Sequence, residues 1–379
     1  MELRFIRSIR HIDANAWNAC ANTDYPFLRH DFLLGLEDTG CTTANAGWQP
    51  YHCLLLDDDH LVGAIPAYLK THSYGEYVFD WALADAWQRS GLDYYPKLVS
   101  AIPFTPCTGP RILIHPQAAE PRAVTGALIQ GLQKEAEEIA SSWHVLFHSD
   151  ADQCHFQNTG MHERQTCQFH WFNHDFANFD DFLATFSSRK RKNLKKERAK
   201  VDQQNIQMTT IEGEAITPAI CEQFHRFYQI TYAKRSGHGG YLTQHFFTEL
   251  LPNLRDQVLL VFAYADNTPV AGALYFKDSN NLYGRYWGAL AEFDGLHFEA
   301  CYYQGIEYCI RNGLQHFDPG AQGEHKIQRG FEPIRTRSHH YICDKRFDAA
   351  VGRFCQEEVD HVRDYQAAAR DLLPFKREG

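Results

Sequence analysis

The sequence has no apolar run long enough for a bilayer: its longest aliphatic stretches, such as VLLVFAYA at 258–265, fall far short of the roughly 20 residues a spanning helix needs. Its first residues, MELRFIRSIRHIDANAW, alternate and carry charges where a secretory leader needs an apolar centre. The eleven cysteines are scattered, odd in number and free of CxxC pairs, a pattern that suits a reducing compartment better than a disulfide framework. No GxSxG turn, HExxH pair or Gly-Lys-Ser/Thr phosphate loop occurs, which removes the nucleophile-elbow hydrolases, the zincins and the P-loop enzymes. His339 and His340 are adjacent and point apart in an extended chain, so no metal site is expected. A cytoplasmic protein follows, without stable membrane insertion and without a permanently bound cofactor; its oligomeric state is not legible.

What is present is a chain of 379 residues, too long for one ordinary core, with a hydrophobic content of 44% and a charged content of 22% that argue for folded domains rather than disorder. Two segments about 200 residues apart share an order. YHCLLLDDDHLVGAIPAYLK (51–70) and VLLVFAYADNTPVAGALYFK (258–277) both read as strand, acidic turn, strand. Each precedes a further strand-like run, GEYVFDWAL or NLYGRYWGAL, and then an apolar helical stretch. This recurrence predicts a duplicated α/β domain, with a boundary near FQNTGMHERQ that gives domains 1–160 and 161–379. The clearest helix is LHFEACYYQGIEYCIRNGL, whose apolar residues keep helical spacing up to the stop at Asn312-Gly313. AICEQFHRFYQITYAKR and AAVGRFCQEEVDHVRDYQAAARDLL are further helices.

Charge is distributed unevenly. The net charge is −10, from 37 basic and 47 acidic side chains, yet SSRKRKNLKKERAKVDQQ (187–204) sets eight basic residues against the single acid Glu197 between Arg189 and Lys200. Without that run 29 basic residues would face 46 acidic ones, a net −17. As a helix it has only a thin apolar stripe (Phe182, Phe186, Leu194, Val201), and Arg191/Lys195 and Lys192/Lys196 repel at i,i+4. Either tertiary packing holds a solvated face, or an anion occupies it through Arg189, Arg191, Lys192, Lys195 and Lys196.

Two further stretches carry reactive groups. HFDPGAQGEHKIQRGFEP (316–333) puts Asp318 at a Pro-Gly turn, then Glu324, His325, Lys326 and Arg329 on a glycine-rich loop where a carboxylate or imidazole can act as a base. KTHSYGEYVFDWA (70–82) interleaves aromatics with Lys70, His72, Glu76 and Asp80, and PFTPCTGPRI (103–112) adds Arg111 at a fixed turn. These form either a substrate groove or the edge of a twisted sheet.

The stretches YPFLRHDFLLGLE, YLKTHSYGEYVFDWA, LDYYPKL, PFTPCTGPR and YWGALAEFDGLHFEACYYQGIEYCIRNGLQHFDPGAQGEHKIQRGFEP resemble the bacterial FemAB-like predicted N-acyltransferases, associated with peptidoglycan biosynthesis or recognition, over nearly the whole chain. SSRKRKNLKKERAKV is similar to the basic segment at which Fem-type aminoacyl transferases begin their second domain. The resemblance implies an α/β (α+β) fold of two tandem GNAT-like domains, each a mixed twisted sheet flanked by helices, the first holding the acceptor and the second the catalytic loop. It implies transfer of an acyl or aminoacyl group to an amine, such as that of a peptidoglycan precursor, from acyl-CoA or aminoacyl-tRNA. The GNAT pyrophosphate signature is not evident before any helix, and the long helical arm of some Fem relatives is absent.

On this reading Glu324 or His325 accepts a proton, with Glu299 as the alternative, and Lys326 and Arg329 hold an anionic group. Lys70, His72, Tyr74, Asp80, Lys97 and Arg111 hold the acceptor; Arg285, Trp287 and Asp318 complete the substrate site; Tyr302 and Tyr303 are core or groove wall. Two other functions fit the same residues: a CoA-dependent N-acetyltransferase acting on a small amine, or a non-catalytic protein that binds muropeptide or nucleic acid.

Overall fold

The computed structural model describes residues 1–376 apart from Phe79 and Gln322. Two compact units divide the chain: the first comprises Met1–Cys167 and Arg335–Asp364, the second Gln168–Ile334 and the chain from Tyr365 onward.

Both units contain the same hairpin. In the first, strands His52–Asp57 and His60–Ile65 are joined through Asp58 and Asp59 at φ 46° and 64°. In the second, strands Val258–Ala265 and Thr268–Lys277 flank Asp266 and Asn267 at φ 47° and 62°. Two successive left-handed residues match the twist of a tight hairpin, and Asp and Asn adopt that conformation at little cost. The layouts then diverge. NLYGRYWGAL continues as the strand Asn281–Ala289, whereas GEYVFDWAL, expected as its counterpart, forms no strand among its described residues, and Trp81 begins the helix Trp81–Arg89. Gly75 and Tyr77 take φ values of 80° and 62°, which end extended pairing.

Within the first unit one sheet orders Glu2–Ile6, His52–Asp57, His60–Ile65 and Leu113–Ile114, all antiparallel. A second run orders Trp48–Pro50, Tyr68–Lys70, Lys97–Ser100, Ser142–Val145 and the strand ending at Ile342, with Lys97–Ser100 and Ser142–Val145 parallel. The helix Pro121–Ile139 lays Val124, Leu128, Leu132 and Ala136, at four-residue spacing, onto Leu55, Ile65, Leu98 and Trp143. In the second unit Ile206–Glu212, Val258–Ala265, Thr268–Lys277 and Asn281–Ala289 pair antiparallel in that order. Asn281–Ala289 pairs parallel with His316–Asp318, which pairs antiparallel with Trp171 and Phe172. Each unit therefore combines parallel and antiparallel strands with helices, the expected α/β class.

One glycine sets how closely a helix approaches the second sheet. A Cβ built on Gly288 would lie 2.1 Å from the backbone carbon of Phe227, inside the helix Pro218–Ser236. Gly288→Ala therefore forces backbone to move and is expected to destabilise the second unit by about 1–3 kcal/mol. Urea unfolding followed by tryptophan fluorescence measures this; an unchanged midpoint would show that the helix withdraws freely.

The basic run forms the helix Ser188–Asp202, separate from the short helix Phe179–Ala184. The expected stripe is thereby split: Leu194 and Val201 are buried on the basic helix, while Phe182 lies on the short one and Phe186 pairs in a bridge with Phe375. LHFEACYYQGIEYCIRNGL is not a uniform helix. A π turn, Glu299–Tyr303, sits between the α-helical Leu296–Phe298 and Gln304–Asn312, and Gly313 at φ 71° closes the end.

Candidate active site

The second unit gathers most of the predicted groups around a six-residue 3-10 turn, Glu324–Arg329. Gly323 and Gly330 bracket it at φ 113° and 84°, conformations that favour glycine on both sides. His325 sits on the exposed side of the turn and meets the Tyr302 hydroxyl at 2.8 Å through Nε2. Phe298, His297 and the Tyr302 ring surround it, with Trp287 against His297 at 5.5 Å between ring centres. Partial burial, with the charges of Arg329 and Lys326, pushes the His325 imidazole down to about 4. The ring is therefore neutral at pH 7 and can take a proton.

Behind His325 lies a layer of buried charge. The Lys326 ammonium is 1% exposed and donates to the Gly320 carbonyl at 2.5 Å; burial brings it down to about 7, although nearby Asp318 opposes the shift. Asp318 and Arg285 form a pair at 2.6 Å with both side chains 1% exposed, and Asp318 also accepts the Gly320 N–H at 2.8 Å. Burial alone would raise the Asp318 carboxyl, yet Arg285 and His170 hold it well below the usual range. Arg329 lies 3.5 Å over the Phe298 ring, donates to the His325 carbonyl at 2.6 Å and forks onto Glu197 at 3.1 and 2.6 Å.

The two glutamates expected as bases lie in different settings. Glu299 is buried in the π turn, and Arg198 takes both its oxygens at 2.9 and 2.6 Å, with Gln304 adding a third donor. That carboxylate has no oxygen left unengaged. Glu324 is exposed and accepts the Tyr365 hydroxyl at 2.7 Å. Beside Arg198, an open groove of about 940 Å³ runs along Phe179, Asp180, Lys195, Glu299, Glu307 and Arg311, where Arg198 meets Glu307 at 2.6 Å and Lys195 meets Asp180 at 2.7 Å. Arg189, Arg191, Lys192 and Lys196 have no carboxylate partner among the described residues.

In the first unit the expected acceptor residues divide. Arg111 spends its guanidinium on the carbonyls of Leu146, Pro110 and Cys107 at 2.7–2.9 Å, a closed structural set. Lys97 is likewise saturated, by Ser73 and Glu76 at 2.8 Å each and by Asp80. Lys70 is buried, sits 3.7 Å from the Trp48 ring centre, donates to the Tyr74 carbonyl at 3.1 Å and meets His72 at 3.4 Å; burial brings its amine down to about 7. Tyr74 and Trp81 are exposed beside it with ring centres 5.4 Å apart. Asp80 Oδ1 and Glu76 Oε1 are buried with no hydrogen-bond donor.

The local signals in the sequence did not identify Glu197, Arg198, His297 or Tyr365 as parts of this region. Glu197 is legible only as the one acid in a basic run, and Tyr365 arrives from the far end of the chain. Among the described residues no helix is long and apolar enough to cross a membrane, and no group of three His, Cys, Asp or Glu is placed to hold a metal.

Residues 8–377 match the FemAB-like family of peptidoglycan biosynthesis/recognition. This chain belongs to that family. The FemAB-like chain is also similar to solved structures. It aligns with FemX at 12% identity and a TM-score of 0.54, over 90% of this chain and 97% of that one. It aligns with the C-terminal domain (DUF2156) of a putative lysylphosphatidylglycerol synthetase from Agrobacterium fabrum at 8% identity and a TM-score of 0.54, over 89% and 93%. The L-PGS of Bacillus licheniformis aligns at 9% identity and a TM-score of 0.51, over 84% and 94%. At these identities the likeness is one of fold. No curated protein matches the FemAB-like chain in sequence.

Proposed function

We propose that this FemAB-like protein is an amide-forming transferase that moves an aminoacyl or acyl group to an amine of a peptidoglycan precursor. The reading is supported by the family, and the observation that carries it is the pairing of His325 with Tyr302 on an exposed turn backed by buried Lys326 and Arg329. The acceptor amine attacks the donor's ester or thioester carbonyl carbon. A C–N bond forms, the C–O or C–S bond breaks, His325 takes the amine proton, and a proton passes to the leaving group. Tyr302 fixes the imidazole, and the cations behind the turn favour the negative charge that develops on the carbonyl oxygen. Glu324 is the second proton acceptor to test, since it shares the turn and faces solvent.

The donor we favour is aminoacyl-tRNA. The carboxylate-free cations Arg189, Arg191, Lys192 and Lys196, with Lys195 beside them, form a basic helix face suited to phosphates. In the first unit Lys70, His72, Tyr74 and Asp80 are the groups we assign to the acceptor. The test is a transfer assay crossing charged tRNAs and acyl-CoAs with UDP-linked muropeptides. His325→Ala is expected to lower kcat about 10²–10⁴-fold with the fold intact. Turnover with acyl-CoA alone would replace the tRNA donor, and full activity in both His325→Ala and Glu324→Gln would overturn the site.

A further inference from the structure

The basic helix Ser188–Asp202 has two faces with different partners. Lys190, Leu194, Glu197 and Val201 follow one another at three- and four-residue spacing, so they share a face. Leu194 and Val201 are buried there, and the two polar members grip consecutive residues of the Glu324–Arg329 turn: Lys190 holds the Gln328 side chain and Glu197 holds Arg329. Arg189, Lys192 and Lys196 fall at the same spacing on the opposite face, without a carboxylate partner among the described residues.

The single acid of the run therefore points away from Arg189, Lys192 and Lys196. Glu197 takes the Tyr303 hydroxyl and two nitrogens of Arg329, and the third nitrogen of Arg329 holds the His325 carbonyl at 2.6 Å. The path from helix to imidazole is thus one carboxylate, one guanidinium and one backbone carbonyl. The turn is otherwise pegged by Tyr302 on His325, Lys326 on Gly320, Tyr365 on Glu324 and Gln328 on the Leu372 carbonyl, between two glycines with left-handed φ. Such a short, glycine-bounded segment has little intrinsic stability and takes its position from what grips it.

We infer that Glu197 is a positioning residue, which sets the His325 turn through Arg329 and so links a polyanion on the outer face of the basic helix to the position of His325. The link to the polyanion rests on the donor reading above; the positioning role does not. Binding that shifts or stiffens the helix acts on the Glu197–Arg329 fork and, through it, on the turn that the fork holds.

The test is hydrogen exchange by mass spectrometry over residues 324–330, with the His325 ring titrated by NMR and assigned through His325→Gln. In Glu197→Gln the turn is expected to exchange at least about tenfold faster while strands Val258–Ala265 and Thr268–Lys277 keep their protection. The His325 ring resonances are expected to shift as its packing against Phe298 and Tyr302 loosens, while the midpoint carries two opposed changes, because the lost Glu197 charge lowers it and weaker burial raises it. Unchanged turn exchange, or His325 ring resonances that do not shift, overturns the role of Glu197. Should Glu197→Gln not fold, Arg329→Lys keeps the charge, loses the fork and is judged by the same measurements.

Unacylated bulk tRNA, with inorganic tripolyphosphate in a second arm, then reads the link. In the wild type the probe is expected to slow exchange in the turn, and in Glu197→Gln to bind with little change there. Equal protection in both proteins overturns the link. Failure of both probes to bind the wild type removes the polyanion part together with the tRNA donor, and leaves the positioning role decided by the probe-free measurements.

Discussion

Lys97→Met is expected to destabilise the first unit by about 3–5 kcal/mol at pH 7, the usual scale for removing one partner from a fully buried ion pair. Lys97 is completely buried and uses all three ammonium hydrogens, on Ser73, Glu76 and Asp80. Methionine fills the volume but leaves two carboxylates, each only 4% exposed, short of a cation: Asp80 loses the lysine that holds it, and Glu76 keeps only Lys70 at 3.8 Å. Each also has one oxygen with no donor even in the native protein, so there is no spare hydrogen bonding to absorb the loss. Glu76 relieves part of the penalty by taking up a proton: burial, with Asp80 adding to it, already raises its carboxyl despite Lys97, and removing Lys97 raises it further. The deficit relative to wild type should therefore shrink as pH falls from 7 to 6, and Glu76→Gln in the same chain should recover part of it. Urea unfolding at the two pH values measures both effects. A loss below about 1 kcal/mol would mean that water or a structural shift solvates the two acids.

Acid is expected to unfold the protein at mild pH. Three pairs of histidines, all buried except the half-buried His316, touch through ring nitrogens: His144 with His340 at 2.6 Å, His148 with His339 at 2.9 Å and His170 with His316 at 2.7 Å. Burial depresses all six, bringing His144 and His170 to about 3 and His148 and His339 to about 4. Because the folded values lie below the unfolded one near 6.5, the unfolded chain binds more protons in acid. The contribution of these groups is complete above about pH 6.5 and declines as pH falls toward 4. Each buried ring loses about 1.4 kcal/mol per pH unit in that window, so several together approach the whole of a normal domain stability by about pH 4.5. Asp318, held low by Arg285, adds its own loss further into acid. Circular dichroism and fluorescence between pH 7 and 4 should show cooperative unfolding with a midpoint near pH 4.5–5. A protein that keeps its melting temperature at pH 4 would show that the pairs are hydrated or share protons without strain.

Much of the fold was legible because it is written locally. The two hairpins announce themselves as alternating strands around Asp-Asp and Asp-Asn, and the fold needs those turn residues for their left-handed geometry. The return of Arg335–Asp364 to the first unit was not legible, since no local pattern records which sheet a distant strand joins. The candidate site was legible as a set of residue types, because Glu324, His325, Lys326 and Arg329 are consecutive enough to meet on any tight turn. Their separate environments were not: whether a lysine lies buried on a carbonyl or a glutamate is locked by an arginine depends on Gly320, Arg198 and Glu197, which reach them from other elements. Lys97 and Arg111 show the same limit, as buried charged residues whose nitrogens all bond inside the first unit.

The π turn at Glu299–Tyr303 carries one residue more than an α-helix of the same pitch would. It acts as a phase shifter: residues before it are rotated by about 100° relative to a continuous helix drawn back from Gln304–Asn312. The aromatic wall of His297 and Phe298 at His325, and the bidentate grip of Arg198 on Glu299, are both set by that offset. Gene lineages that gain or lose a single codon here would therefore change the reading frame of the helix surface rather than its length, and a helical wheel drawn through positions 296–312 misassigns the side facing the turn.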